Sequence, residues 1–342
     1  MNINQIARKA NVSRSTVSRV INNHPRVSEE TRRTVLRVMD EAQYIPNAAA
    51  RSLASKRSHI IGMLAYNITH PFWSGIFGGV DRYISQETDY GIFLSNSKSR
   101  LHVDDHKKNY KRNLKNLVAR GVDGVIIALA NPLEHEDIDF LEASGTPYVI
   151  IQNQLDDSRA ISVNVDNRGG SATAARHLVS LGHKRIIHAA GPMQSGIAYE
   201  RCQGFMAAMR ESDLPFDDSS APLCGFLFDE GYRFMKNMIE AADFPTAILF
   251  VNDSSAFGAY LAANEAGINI PGDISFVGFD HLTGPMDISG LLPDLTTMIQ
   301  PVAEMGGMAA KLLMDQLDNR KVETFNYVLS LHLGATTARR RS

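Results

Sequence analysis

From residue 59 onward, short apolar runs alternate with amphipathic stretches, and this alternation restricts the fold more than any other feature of the chain. "HIIGMLAY" precedes a helix expected from Phe72 to Glu87, "YGIFLSNS" precedes one from Asp104 to Arg120, and "VDGVIIALA" and "PYVIIQN" follow. Apolar runs of this kind separated by helices are strands buried on both faces, which implies a parallel sheet with helices on each side. After "AISVNVD" the pattern restarts. Strands are expected at "KRIIHAAG", "PLCGF", "AILFVND" and "ISFVGFD", and helices open at Asn167, Tyr199, Asp229 and Asp253. The body is therefore expected to be α/β, with two doubly wound parallel-sheet lobes in tandem.

Enzyme classes built on such sheets lack their defining residues here. No G-x-G-x-x-G follows the first strand of either series, and G-x-x-x-x-G-K-[ST], H-E-x-x-H and G-x-S-x-G are absent from the chain. The expectation is a protein that catalyses nothing and needs no cofactor. Cys202 and Cys224 have none of the spacings that hold zinc, so two free thiols and no metal are expected. No run of eighteen apolar residues occurs, and Gln5, Arg8, Lys9 and Asn11 stand where a secretory signal needs apolar residues. A cytoplasmic protein without a membrane partner is expected.

The net charge of −2 hides an asymmetry. Residues 1 to 58 carry eleven Lys or Arg against four acids, a local +7 that leaves −9 on the rest. A basic end of this kind suits a polyanion. Its pattern is helical. Asn2 can cap "INQIARKA", whose Ile3, Ile6, Ala7 and Ala10 share one face. After the turn "NVS", a second helix "RSTVSRVIN" turns Val17, Val20 and Ile21 inward and Arg14, Ser15, Ser18, Arg19 and Asn22 outward. Ser28 caps a third helix, "EETRRTVLRVMDEAQY", with Val35, Leu36, Val38, Met39 and Ala42 expected in the core. Two short helices this close make a helix-turn-helix, and the outward face of the second carries side chains suited to guanine edges and phosphates.

The stretch from "IARKANVSRSTVSRVIN" through "VSEETRRTV" to "YIPNAAARSL" closely resembles the signature of the lactose/galactose repressor family of bacterial transcription regulators, and the likeness runs along the whole chain. It implies a homodimeric regulator, read as a repressor, that binds a pseudo-palindromic double-stranded DNA operator under the control of a small-molecule effector. By the resemblance Arg14, Ser15 and Arg19 would read bases, while Thr16 and Asn22 would hold phosphates. The basic, helix-competent "AAARSLASKRS" would be a hinge helix. There Arg51 and Ala54 would flank Leu53, which would wedge the operator's minor groove.

The implied arrangement is a helix-turn-helix domain at 1–45, a hinge at 46–58 and a body of two periplasmic-binding-protein-like lobes at 59–342. The first lobe would take about 59–161 plus 293–324, the second about 162–292 plus 325–342. Two such lobes leave a crevice at the carboxyl ends of their strands. The family's effector-contact positions fall here on Phe72, Trp73, Gln152, Arg201, Phe226, Asn252 and Asp280. Taken residue by residue, core packing for the phenylalanines, capping or turn roles for Asn252 and Asp280, and a surface ion pair for Arg201 stay open. A flat Trp73 and forked polar donors suit a neutral sugar. The family often has Asp where Gln152 stands, so an acidic or phosphorylated sugar is more tolerable here, and purines stay possible. Two alternatives remain: a global regulator of the same family answering to a phosphorylated carrier protein, and a periplasmic-type sugar-binding protein.

Overall fold

The computed structural model describes residues 1–21, 24–44, 57–97, 103–130, 133–152, 155, 157–241, 244–282 and 293–340. Its contacts divide the chain into Met1–His59 and Ile60–Ser342. Residues 46–56 of the expected hinge, with Arg51, Leu53 and Ala54, and Asn22 of the helix-turn-helix lie outside the described residues.

In the first unit α1 (Ile3–Lys9), α2 (Arg14–Ile21) and α3 (Glu29–Glu41) enclose Ile6, Ala7, Ala10, Val17, Val20, Val35 and Val38. Asn2 caps α1 in a reciprocal box: its side chain accepts the Gln5 amide at 3.1 Å, and Gln5 accepts the Asn2 amide at 2.8 Å. Ser28 caps α3 as expected. That helix stops earlier than the sequence suggests. Gln43 takes φ +47°, and the amides of Gln43 and Tyr44 close back on the carbonyls of Asp40 and Met39. This is a left-handed stop. Leu36 corrects the expected core: it is 47% exposed, because Val35, Val38, Met39 and Ala42 already fill the inward stripe and Leu36 lies about 100° away from Val35.

The second unit holds two sheets. In the first, strands run in the order β10 (Phe325–Tyr327), β5 (Ser162–Val165), β4 (Tyr148–Ile151), β3 (Gly124–Ala128), β1 (Ile60–Ala65), β2 (Gly91–Asn96), all parallel. Alternate side chains serve opposite cores. Ile61, Met63, Ile126 and Val149 pack with α4 (Pro71–Glu87) and α11 (Val302–Leu317), while Leu64, Val125, Ile127 and Ile150 pack with α5 (Val103–Ala119) and α6 (His135–Ser144). The helices α4 and α11 touch backbone to backbone. A Cβ on Gly79 would overlap the Ala303 carbonyl, and one on Gly306 would overlap that of Ile76.

The second sheet runs β11 (Ser330–His332), β9 (Thr297–Ile299), β8 (Ser275–Asp280), β7 (Ala247–Phe250), β6 (Ile186–Ala189). Its edge strand β11 is antiparallel and the rest are parallel. One face packs on α7 (Asn167–Ser180) and α8 (Gly196–Glu211), the other on α9 (Phe228–Ala241) and α10 (Asp253–Glu265).

Strand pairing moves the expected lobe boundaries. Residues 162–165 and 325–327 join the first sheet and 297–299 the second, each opposite to the assignment from sequence. These crossing strands are three or four residues long, so their own pattern does not choose a sheet; the register with distant neighbours does. "PLCGF" is likewise no strand but a single bridge between Ala190 and Leu223, since Pro222 has no amide to give and Gly225 turns away at φ +106°.

Candidate functional site

In the helix-turn-helix unit the second helix is launched by Ser13, whose hydroxyl accepts the Thr16 amide at 3.1 Å and lies 2.7 and 2.8 Å from the hydroxyls of Ser15 and Thr16. Val17 and Val20 anchor α2 inward, which leaves Arg14, Ser15 and Arg19 exposed on the opposite side and Thr16 half-buried. Two guanidinium groups and the Ser15 side chain thus face outward on one short helix held by a packed core.

In the body, the residues expected at strand ends form a hydrogen-bonded chain. Gln152, just beyond β4, donates through Nε2 to Gln300 Oε1 at 2.9 Å, and Gln300 Nε2 donates to Asp280 Oδ1 at 2.5 Å. Arg201 on α8 meets the same carboxylate oxygen at 3.5 Å, donates through Nε to Asn167 Oδ1 at 3.0 Å, and gives another bond to the Val251 carbonyl at 2.5 Å. Its guanidinium lies 3.7 Å from the centre of the Phe279 ring. The chain passes from the end of β4 in the first lobe, through Gln300 just after β9, into the second lobe.

All of it is buried. Gln152, Arg201, Asp280 and Gln300 are at most 5% exposed. Burial pushes the carboxyls of Asp280 and of neighbouring Asp253 above the ordinary carboxylate range, and the Arg201 charge pulls both back. Burial lowers the Arg201 pKa in turn, against the pull of the two carboxylates. Asp253 accepts the Thr297 hydroxyl at 2.6 Å and the Leu282 amide at 2.8 Å. Gln152 and Asp280 also hold φ of +57° and +122°, a backbone strain of about 1–3 kcal/mol each that side-chain commitments must offset. Gln152 Oε1 is buried and has no hydrogen-bond partner among the described residues.

The remaining expected residues sit differently. Phe72 and Trp73 are each 7% exposed and stand edge to face at 4.9 Å within the first lobe's core, with Tyr66 against Trp73 at 5.9 Å. Asn252 caps α10: its oxygen accepts the Ser255 amide and hydroxyl, and its amide holds the Phe226 carbonyl at 3.0 Å. The helix-cap alternative is thus realised at Asn252, and Phe226 is tied to it through the backbone. Sequence reasoning missed Gln300, Asn167 and Asp253. The signal for Gln300 was a polar residue ending an apolar run before Pro301, in a strand too short to recognise.

Residues 2–47 match the family described as bacterial regulatory proteins, lacI family, and residues 58–330 match the one described as periplasmic binding proteins and sugar binding domain of LacI family. Catabolite control protein A of Priestia megaterium is 31% identical over 94% of this chain and 94% of its own length. The ribose operon repressor of Haemophilus influenzae is 30% identical, covering 92% and 91%. Among solved structures, the Lac repressor dimer bound to operator and the anti-inducer ONPF superposes with a TM-score of 0.84 at 28% identity, covering 99% of both chains.

Proposed function

The chain belongs to the LacI family of bacterial regulatory proteins, and from that membership we propose the cycle of a sugar-controlled repressor acting in the cytoplasm. A homodimer sets its two α2 helices on the half-sites of an inverted-repeat operator. Arg14, Ser15 and Arg19 read base edges, Thr16 and Asn22 fix phosphates, and the hinge residues Arg51, Leu53 and Ala54 enter the minor groove between the half-sites. A neutral sugar occupies the crevice beside Phe72, Trp73, Gln152, Arg201, Phe226 and Asp280, with Asn252 bracing the wall behind Phe226. Its binding draws the lobes together and releases the operator. The sugar leaves unchanged.

One observation carries the sugar reading: the buried chain from Gln152 to Asn167 leaves Gln152 Oε1 as an acceptor with no donor among the described residues. A hydroxyl supplies that donor. Two buried carboxylates, Asp253 and Asp280, share one guanidinium, which disfavours a phosphate or carboxylate ligand even though Gln152 removes one negative charge from the family's usual set. A regulator answering to a carrier protein on its outer surface would leave this chain without a task. Thermal unfolding against neutral sugars, sugar phosphates and nucleobases tests the reading, since a ligand at a hundred times its Kd adds about 2.7 kcal/mol of stability. Stabilisation by sugar phosphates or nucleobases, and not by neutral sugars, would replace it.

A further inference from the structure

We propose that a reciprocal pair of helix-capping residues, His70 from the first lobe and Ser195 from the second, straps the two lobes together across the crevice. His70 is the N-cap of α4, the helix that begins with Pro71, Phe72 and Trp73. Its Nδ1 accepts the Phe72 amide at 3.3 Å, so the neutral ring carries its proton on Nε2. That nitrogen lies 3.0 Å from the hydroxyl of Ser254, which is 3% exposed in the first turn of α10 on the other lobe. One ring therefore closes a helix end on its own lobe and donates to the facing one.

Ser195 does the converse. It stands at the N-cap of α8, the helix carrying Arg201, yet makes no side-chain cap bond there. Its hydroxyl instead donates to the Ala130 carbonyl, beyond β3 of the first lobe, at 3.3 Å. A serine at this position ordinarily stabilises its own helix, so the hydroxyl has been diverted from a favourable local bond to one between lobes. Both helices that present candidate effector residues are thus held at their first residue by the opposite lobe. Opening the crevice breaks both straps, and breaking either frees the end of the helix on which the aromatic pair or Arg201 rides.

The proposal builds on the crevice as the effector site, but its test needs no effector. Amide hydrogen exchange is measured on the full chain without sugar. His70→Asn keeps a strong capping side chain yet is too short to reach Ser254, Ser254→Ala removes the acceptor, and Ser195→Ala removes the other strap. Each single change should speed exchange in residues 66–74, 190–198 and 252–258 about fivefold, the factor that one ordinary hydrogen bond commands. The His70→Asn/Ser254→Ala pair should do no more than either change alone, because both break one bond, whereas adding Ser195→Ala should multiply the effect. Unchanged exchange in Ser254→Ala and Ser195→Ala, or independent effects of His70→Asn and Ser254→Ala, overturns the strap. Since no sugar is present, a failed sugar screen and a failed strap are read separately.

Discussion

Replacing Arg201 with Met should damage the body in a manner that depends on pH. The substitution keeps an apolar stem against Phe279 but removes the donors to Asp280, Asn167 and the Val251 carbonyl. Removing one partner of a buried pair costs about 3–5 kcal/mol, because the remaining charge is left uncompensated. Here the remaining group is Asp280, whose pKa burial already raises and whose strongest restraint is Arg201. Without the guanidinium the folded-state pKa rises further, while the unfolded value does not change. A carboxyl whose folded pKa lies above its unfolded one stabilises the fold at acid pH and loses that contribution as pH rises through the folded value. The deficit of Arg201→Met relative to wild type should therefore be present at pH 5, where the Asn167 and Val251 oxygens have lost their donor, and larger at pH 8, where the uncompensated Asp280 charge adds to it within a total of about 3–5 kcal/mol. Adding Asp280→Asn should recover part of the loss at pH 8 and little at pH 5. Urea unfolding of wild type, each single variant and the double variant at the two pH values measures this. Equal deficits at both pH values, or no rescue by Asp280→Asn, would refute the view that Arg201 compensates that carboxylate.

Other expectations are simpler to check. Arg14→Ala and Arg19→Ala should each cost about 1–3 kcal/mol of operator affinity with helix content unchanged, since both side chains are exposed on a helix anchored by Val17 and Val20; circular dichroism and band shifts separate the two effects. His188 is buried, its Nδ1 lies 2.9 Å from the Leu249 carbonyl, and burial pushes its pKa from 6.5 down to about 4. The unfolded chain then binds the proton more readily, so this group withdraws about 3 kcal/mol of stability as pH falls from 6.5 to 4. His188→Gln should flatten that part of the stability curve, and an unchanged acid slope in urea titrations would count against it. Ser13→Ala should lower the melting temperature of the helix-turn-helix unit, at a cost of about 1 kcal/mol, by removing the cap on α2.

The elements legible in the sequence were those whose pattern is local. The three short helices with the caps at Asn2 and Ser28, and the buried strands at 60–65, 124–128, 247–250 and 275–280, follow from periodicity and cap residues within a dozen positions. What escaped was decided at a distance. The short crossing strands β5, β9 and β10 choose their sheet by pairing with residues far along the chain, which an apolar triplet does not encode. The same holds for the crevice: Arg201 and Asp280 stood out as polar residues at element ends, but the glutamine that links Asp280 to Gln152 lies 148 positions from it. Leu36 shows the opposite case, an apolar residue in an apolar run that the helix phase turns to the surface.

The central claim is that one chain joins sequence-specific DNA binding to a ligand held between its lobes. Selection of double-stranded DNA from a random pool by the full-length protein, followed by band shifts on the selected site with and without the best-stabilising neutral sugar, tests both halves together. The account predicts convergence on two inverted half-sites, binding that weakens steeply with salt, and a change in affinity of about tenfold or more when the sugar is added. A pool that fails to converge, or a selected site whose affinity no neutral sugar alters, would contradict it.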